Sequence, residues 1–288
     1  MRVVEQLQSN ARFTHARGPK LYALTSSAQR IDVLRMHGVL PLYGNLDDLP
    51  SLERLRGVAQ HVIHLAPPKS AGQVDMRSVH LIRVLRKGSR PRSMVYGSTT
   101  GVYGNCDGAW IDETRTTHPA TDRARRRVHA EQSVRSFGLQ SGVAVKVLRI
   151  PGIYAPDREG GTPRGRLLKG LPVLRAQEDV FTNHIHADDL AQIVIAAMWG
   201  GRAQRVYNAC DFTEMRMGDY FDWAADWYGL PRPARISRAQ AQQCLPPLTL
   251  SFLGESRRLR NTRIVQELGV RLRYPTVREG LKEAGAST

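Results

Sequence analysis

From residue 21 onward, short apolar runs alternate with stretches of helical periodicity. Leu21-Tyr-Ala-Leu-Thr25 reads as a strand that ends in hydroxyls. Residues 28–37 follow as a helix, with Ser27 suited to cap it. Val39-Leu-Pro-Leu-Tyr43 is a second strand, and Ser51 is expected to cap a helix over residues 52–58. His61-Val-Ile-His-Leu-Ala66 is a third strand, and residues 75–87 a helix with Met76, Val79, Leu81, Ile82 and Leu85 turned inward. Met94-Val-Tyr96 then forms a short apolar run, as buried strands of parallel sheets do. Residues 143–150 and 205–208 supply two further strands, with a helix over 188–198 between them. Strands alternating with helices at these lengths predict an α/β fold with a doubly wound parallel sheet.

Beyond residue 210 the rhythm changes. Residues 217–228 predict a helix, on which Tyr220, Trp223 and Trp227 share a face and are expected to be core. Leu245-Pro-Pro-Leu-Thr-Leu-Ser-Phe-Leu253 is apolar enough to line a junction between lobes, and residues 261–268 and 276–284 read as closing helices. Residues 155–180 are rich in Gly, Pro and Arg and read as an excursion beside a substrate site. The expected organisation is a sheet domain over residues 1–154, rejoined by 183–210. A smaller lobe comprises 155–182 and 211–288.

The richest chemistry lies where the central strand breaks into Gly97-Ser-Thr-Thr-Gly101. Hydroxyls at a strand's carboxyl end sit where α/β sheets place ligands. The stretch Val95-Tyr-Gly-Ser-Thr-Thr-Gly-Val-Tyr-Gly104 resembles the active-site loop of extended short-chain dehydrogenase/reductases, the NAD(P)-dependent epimerases, dehydratases and reductases. His61-Val-Ile-His-Leu-Ala-Pro-Pro68, Leu148-Arg-Ile-Pro-Gly-Ile-Tyr154 and Asn183-His-Ile-His-Ala-Asp-Asp-Leu190 agree with the same family in order. The resemblance implies a Rossmann-like fold, an NAD(P) cofactor and a small sugar-like or nucleotide-linked substrate. It also allows a homodimer.

Residue by residue, it implies that Thr99 positions a substrate oxygen and that Tyr103, Asn183 and His186 border the substrate. Thr25, Ser26, Arg30, Asn45, Leu46, Leu65, Ala66, Pro67, Pro151 and Ile153 would line the cofactor. With Arg30 beyond strand one and no acidic residue there, NADP is slightly favoured. The family's Tyr-x-x-x-Lys dyad, one helical turn apart, corresponds to Arg123 and Arg127. Arg127 can clasp a ribose or phosphate; Arg123 cannot act as a general acid, because guanidinium stays charged. This places the chain in the atypical branch of the superfamily.

The first twenty residues depart further. A dinucleotide-binding unit opens with an apolar strand, a Gly-rich turn and a helix, some 30 residues in all. Here only Arg2-Val-Val4 is strand-like, residues 9–16 read as a helix remnant, and Gly18 is alone. The family's Gly-rich motif is thus missing, which leaves open a truncated first strand and turn or a degenerate cofactor site. Two readings stand: an NAD(P)-linked enzyme, or a non-catalytic Rossmann-like binding or regulatory protein.

Composition narrows the class. The chain carries 42 Lys and Arg against 26 Asp and Glu, a net charge of +16. Only six of the bases are Lys, at 20, 69, 87, 146, 169 and 282. No nucleic-acid-binding motif accompanies the arginines, so a surface attracting small anions is the better reading. Cys106, Cys210 and Cys244 form neither a disulfide framework nor a metal site, and Asn183-His-Ile-His-Ala-Asp-Asp189 lacks a clustered ligand set. No apolar run is long enough to span a membrane. A cytoplasmic protein binding a small molecule and no metal is the expectation.

Overall fold

A computed structural model describes residues 1–9 and 19–285, with side chains through residue 282. Its larger layer is a sheet of parallel strands. The labelled elements are α1 (Arg2–Ser9), β1 (Tyr22–Thr25), α2 (Arg30–Met36), β2 (Leu40–Tyr43), β3 (His61–His64), α3 (Met76–Leu85), β4 (Ser93–Thr99), α4 (Asp122–Ser141), β5 (Ala144–Ile150), α5 (Ala187–Trp199), β6 (Arg205–Asn208) and α6 (Met217–Tyr228). Strands β6, β5, β4 and β3 pair side by side, all parallel, and β1 and β2 form a separate parallel pair. This is the predicted Rossmann-like α/β architecture.

Each face of β4 is covered. On one side α5 and α1 pack through Ile193, Val194, Ala197 and Leu7. On the other, α3 and α4 pack through Leu81, Leu85, Val134 and Phe137. Six of the seven β4 residues are buried, as a strand with helices on both faces requires. Residues Tyr154, Leu167, Val173, Tyr220, Phe221, Val277 and Leu281 share a further cluster, and Leu174, Val180, Ala241, Leu245 and Leu253 another. These close over the carboxyl edge of the sheet.

Several local expectations are corrected. Arg2-Val-Val4 is not a strand but the first turn of α1. The helix remnant expected at 9–16 falls, after Ser9, outside the described residues. Ser27 caps nothing: α2 begins later, with Gln29 at the cap position, and Ser27 Oγ donates to Gln29 Oε1. Ser51 lies inside a 3-10 helix, Pro50–Leu55, and its hydroxyl ties the loop at Asn45 and Asp48. Trp227 is exposed, stacked on Trp223 with centroids 6.4 Å apart, while Tyr220 and Phe221 carry the buried face of α6.

Candidate functional site

The loop after β4 is built before any ligand is considered. Thr99 Oγ1 accepts from Gly101 N, which starts a 3-10 turn over Thr100–Tyr103. Gly104 ends it at φ 67°, where an added Cβ would lie 2.2 Å from the His118 carbonyl oxygen. Only glycine fits there. Beneath the loop, Glu131 of α4 meets Arg149 of β5 in a buried ion pair, Nη2 to Oε2 at 2.8 Å. Ser98 Oγ donates to the same carboxylate at 2.5 Å. The loop therefore rests on a strand, a helix and a charge pair that cannot shift independently.

Above it lies a cleft of about 500 Å³. Thr99 and Arg123 stand on its sheet side, with Pro151 and Asn183. Arg166, Tyr220, Phe252 and Arg257 stand on the lobe side. Three guanidinium groups therefore face one cavity, with Glu255 as the acidic residue of the wall. Their availability differs. Arg257 is engaged by the loop, Nη1 donating to the Gly104 carbonyl and to Glu255 and Nη2 to Thr100 Oγ1, while its buried Nε has no partner. Arg166 lies over the Phe221 ring and donates to the Pro172 carbonyl, leaving its buried Nε without a partner. Arg123 lies 5.0 Å over the Phe252 ring and donates no hydrogen bond to the described residues. His184, also on the wall, keeps a buried Nε2 without a partner.

The site candidates read from sequence do not all meet here. Thr99, Arg123, Pro151 and Asn183 do. The Asn183 side chain is taken up by its neighbours, donating to the Arg257 carbonyl and accepting from Leu259 N. Tyr103 does not reach the cleft: its ring is fully buried, and its hydroxyl donates to Asn208 Oδ1 at 2.7 Å. His186 lies elsewhere too, as the cap of α5, accepting from Asp188 N beside Tyr154 and Tyr274. Ile153 packs into the core under α5. Arg166, His184, Tyr220, Phe252, Glu255 and Arg257 went unread. Arg257 opens an Arg-rich run and Phe252 ends an apolar one, but nothing local ties either to Thr99.

The cofactor-side candidates follow the carboxyl edge of the sheet. Thr25 Oγ1 is held in the turn by Ser27, Ser26 and Arg30 are exposed, and Asn45 Oδ1 accepts from Asp47 N. Leu46 packs against the α3–α4 side of the sheet. Leu65, Ala66 and Pro67 follow β3. Arg127 Nη1 donates to the Gly97 carbonyl at 2.7 Å and to Tyr96 Oη at 3.0 Å. A pyrophosphate needs free backbone N–H groups at a helix N-terminus, with no Cβ in the way. Residues 1–9 contain no glycine, and Arg2 at the start of α1 is ion-paired with Asp157 and Asp188. The described residues therefore do not fit the pyrophosphate, and no reaction step is derived through a dinucleotide.

Similarity decides the lineage. Residues 11–210 match the model of the NAD dependent epimerase/dehydratase family. The chain belongs to the NAD-dependent epimerase/dehydratase family. A functionally unknown conserved protein from Silicibacter pomeroyi is 31% identical, with a TM-score of 0.79 over 100% of this chain and 95% of that one. Two more distant structures share the fold. The UDP-glucose 4-epimerase of Thermotoga maritima, solved with UDP-glucose, is 19% identical at TM-score 0.75, covering 97% of this chain and 92% of its own. A dTDP-glucose 4,6-dehydratase from Streptomyces venezuelae, solved with NAD, is 20% identical at TM-score 0.76, covering 98% and 91%. No curated protein matches. Among the described residues no group of side chains could hold a metal ion, and no helix is long and apolar enough to cross a membrane.

Buried titrating groups give this epimerase/dehydratase family member a defined pH response. Burial pushes His64 and His184 down to about 4; a nearby Asp75 carboxylate opposes the shift at His64. Burial pushes Asp211 up to about 8, against a hydrogen bond from Thr213 N. Unfolded histidines take up protons below about 6.5 and the folded ones only near 4, so their contribution is lost as pH falls across that window. Asp211 has the opposite sign: folded, it stays protonated to about pH 8, so stability is lost as pH rises towards 8. Asp211→Asn should thus gain stability relative to the native chain at pH 8 compared with pH 5. Urea midpoints at the two pH values read this directly, and an identical difference at both would refute it.

Proposed function

We propose that the chain binds a small anionic, hydroxyl-bearing substrate, sugar-like or nucleotide-linked, in the cleft beside Thr99. It does so as an epimerase-, dehydratase- or reductase-type protein whose NAD(P) binding is weak, with NADP preferred. The observation that carries this is Arg123. At the position of the family's phenol it presents a permanent cation to the cleft, bonded to no protein acceptor among the described residues. A guanidinium there holds an anion or a developing oxyanion but transfers no proton. Thr99 lines the same cleft, and in this reading its hydroxyl holds a substrate oxygen. The same arginine supports a second reading, a binding or regulatory protein without turnover. The nucleotide-sugar class is the substrate named for the Thermotoga relative.

Calorimetric titration with UDP-glucose tests the substrate reading. A charge-assisted hydrogen bond is worth about 1.5–3 kcal/mol, so Arg123→Ala should weaken binding by roughly 10–100-fold. Native binding with no effect of Arg123→Ala would reject the assignment of Arg123. No binding by the native chain would reject the substrate class. Turnover of UDP-glucose with the oxidised cofactor, NADP+ or NAD+, which accepts the hydride from the sugar, separates the enzyme from the silent binder.

A further inference from the structure

Arg123 gives the cleft a cation that transfers no proton, so a proton moved there has to pass through another wall residue. Besides the arginines, the ionisable side chains of the wall are His184, Tyr220 and Glu255. Burial pushes the Tyr220 phenol up and His184 down to about 4, and His184 Nε2 is sealed from solvent without a partner. Neither is matched to proton transfer near neutral pH. Glu255 remains.

The carboxylate is fixed from behind. Arg257 Nη1 donates to Glu255 Oε2 at 2.8 Å and to the Gly104 carbonyl at 2.9 Å, which ties Glu255 to the loop after β4. A Cβ added at Gly101 would lie 3.8 Å from Oε2, so the carboxylate stands beside the turn that Thr99 starts. Its other oxygen, Oε1, accepts from none of the described residues and is not sealed as His184 Nε2 is.

Arg123 is held separately, over the Phe252 ring. Burial lowers the pKa of Arg123, and the Glu255 carboxylate opposes the shift. Yet no ion pair closes between the two, because Arg257 holds the carboxylate and Phe252 the guanidinium. Opposite charges pinned apart on one cleft wall leave room for a polar group between them. Thr99 adds a donor: Oγ1 accepts from Gly101 N, and its own hydrogen goes to no acceptor among the described residues.

We propose that Glu255 is the catalytic base of the cleft, taking a proton from the carbon beside the carbonyl of a sugar-like ketone, while Arg123 and the Thr99 hydroxyl hold the enolate oxygen. The inference rests on the substrate reading above and names the reacting group. The C–H bond breaks, its electron pair becomes the C=C bond of the enolate, and the carbonyl π pair moves onto oxygen. The proton goes to a Glu255 oxygen, and its return to the same carbon reverses each change. Nothing is oxidised or reduced, so the step needs no hydride acceptor. A permanent cation stabilises the oxyanion without giving it a proton, which keeps the enolate open to exchange.

Solvent exchange reads this step alone. The full chain is incubated in D2O with UDP-4-keto-6-deoxyglucose and no added dinucleotide, and NMR follows the protons on the two carbons beside the carbonyl. The native chain should exchange at least one of them faster than buffer does. Glu255→Gln should slow that exchange at least about 100-fold while still binding the ketone, since the amide keeps an acceptor for Arg257 and loses only the base. Arg123→Ala should slow it at least about tenfold at saturating ketone. If the thermal midpoint shows that Glu255→Gln does not fold, Glu255→Asp, which withdraws the carboxylate by one methylene, replaces it and should also slow exchange. Undiminished exchange in the folded Glu255 variant would overturn the proposal. So would a native chain that exchanges neither proton. Titration with UDP-glucose then separates the two failures: binding leaves the substrate reading standing, and no binding rejects both.

Discussion

Glu131→Ala should cost the protein about 3–5 kcal/mol, because it strands a buried cation. Glu131 and Arg149 are each almost wholly excluded from solvent. The carboxylate receives Arg149 Nη2 at 2.8 Å, Arg149 Nε at 3.2 Å and Ser98 Oγ at 2.5 Å. Among the described residues Arg149 meets no second carboxylate; it also lies over the face of the Tyr103 ring, 4.6 Å away, and its Nη1 is unpaired. Removing the anion leaves guanidinium desolvated without compensation. Replacing both partners by apolar side chains, as in Glu131→Leu with Arg149→Met, should cost much less, since neither charge is then buried. Urea unfolding of the single and double variants gives the comparison. A single variant within about 1 kcal/mol of the native chain would mean that water reaches the pair. Because Ser98 precedes Thr99, the single variant should also loosen the cleft wall.

What could be read in advance followed the reach of each signal. Hydrophobic periodicity is local, so α6 and β6 emerge at the residues expected, and α3 and β5 within a residue or two. Caps failed where a competing partner took the hydroxyl: Ser27 is drawn to Gln29 and Ser51 to the Asn45 loop. Arg2-Val-Val4 has strand-forming residues, yet it coils because Leu7 gains burial against α5. The sheet side of the cleft was legible because Thr99, Arg123, Pro151 and Asn183 sit in ordered motifs. The lobe side was not, since Arg166, Phe252 and Arg257 reach the cleft only through tertiary packing. Tyr103 and His186 were drawn from the same motifs, but burial turned the first to Asn208 and capping held the second on α5.

The second large effect concerns the cofactor. The family is NAD-dependent, but the pyrophosphate cradle is not among the described residues. Charge-assisted phosphate hydrogen bonds contribute about 1.5–3 kcal/mol each, so losing two or three moves a micromolar dissociation constant to millimolar or weaker. On the proposed reading NADP is preferred, because Arg30, exposed at the start of α2, would offer a cation to a 2′-phosphate. Arg127 is held against Gly97 and Tyr96 at the sheet's edge, and the proposed reading has it meet a ribose or phosphate there. The deciding measurement is calorimetric titration of the native chain and of Arg127→Ala with NADPH and NADH. Millimolar binding by the native chain is expected, with NADPH tighter than NADH and a further loss in Arg127→Ala. Micromolar binding by the native chain that Arg127→Ala leaves unchanged would contradict it.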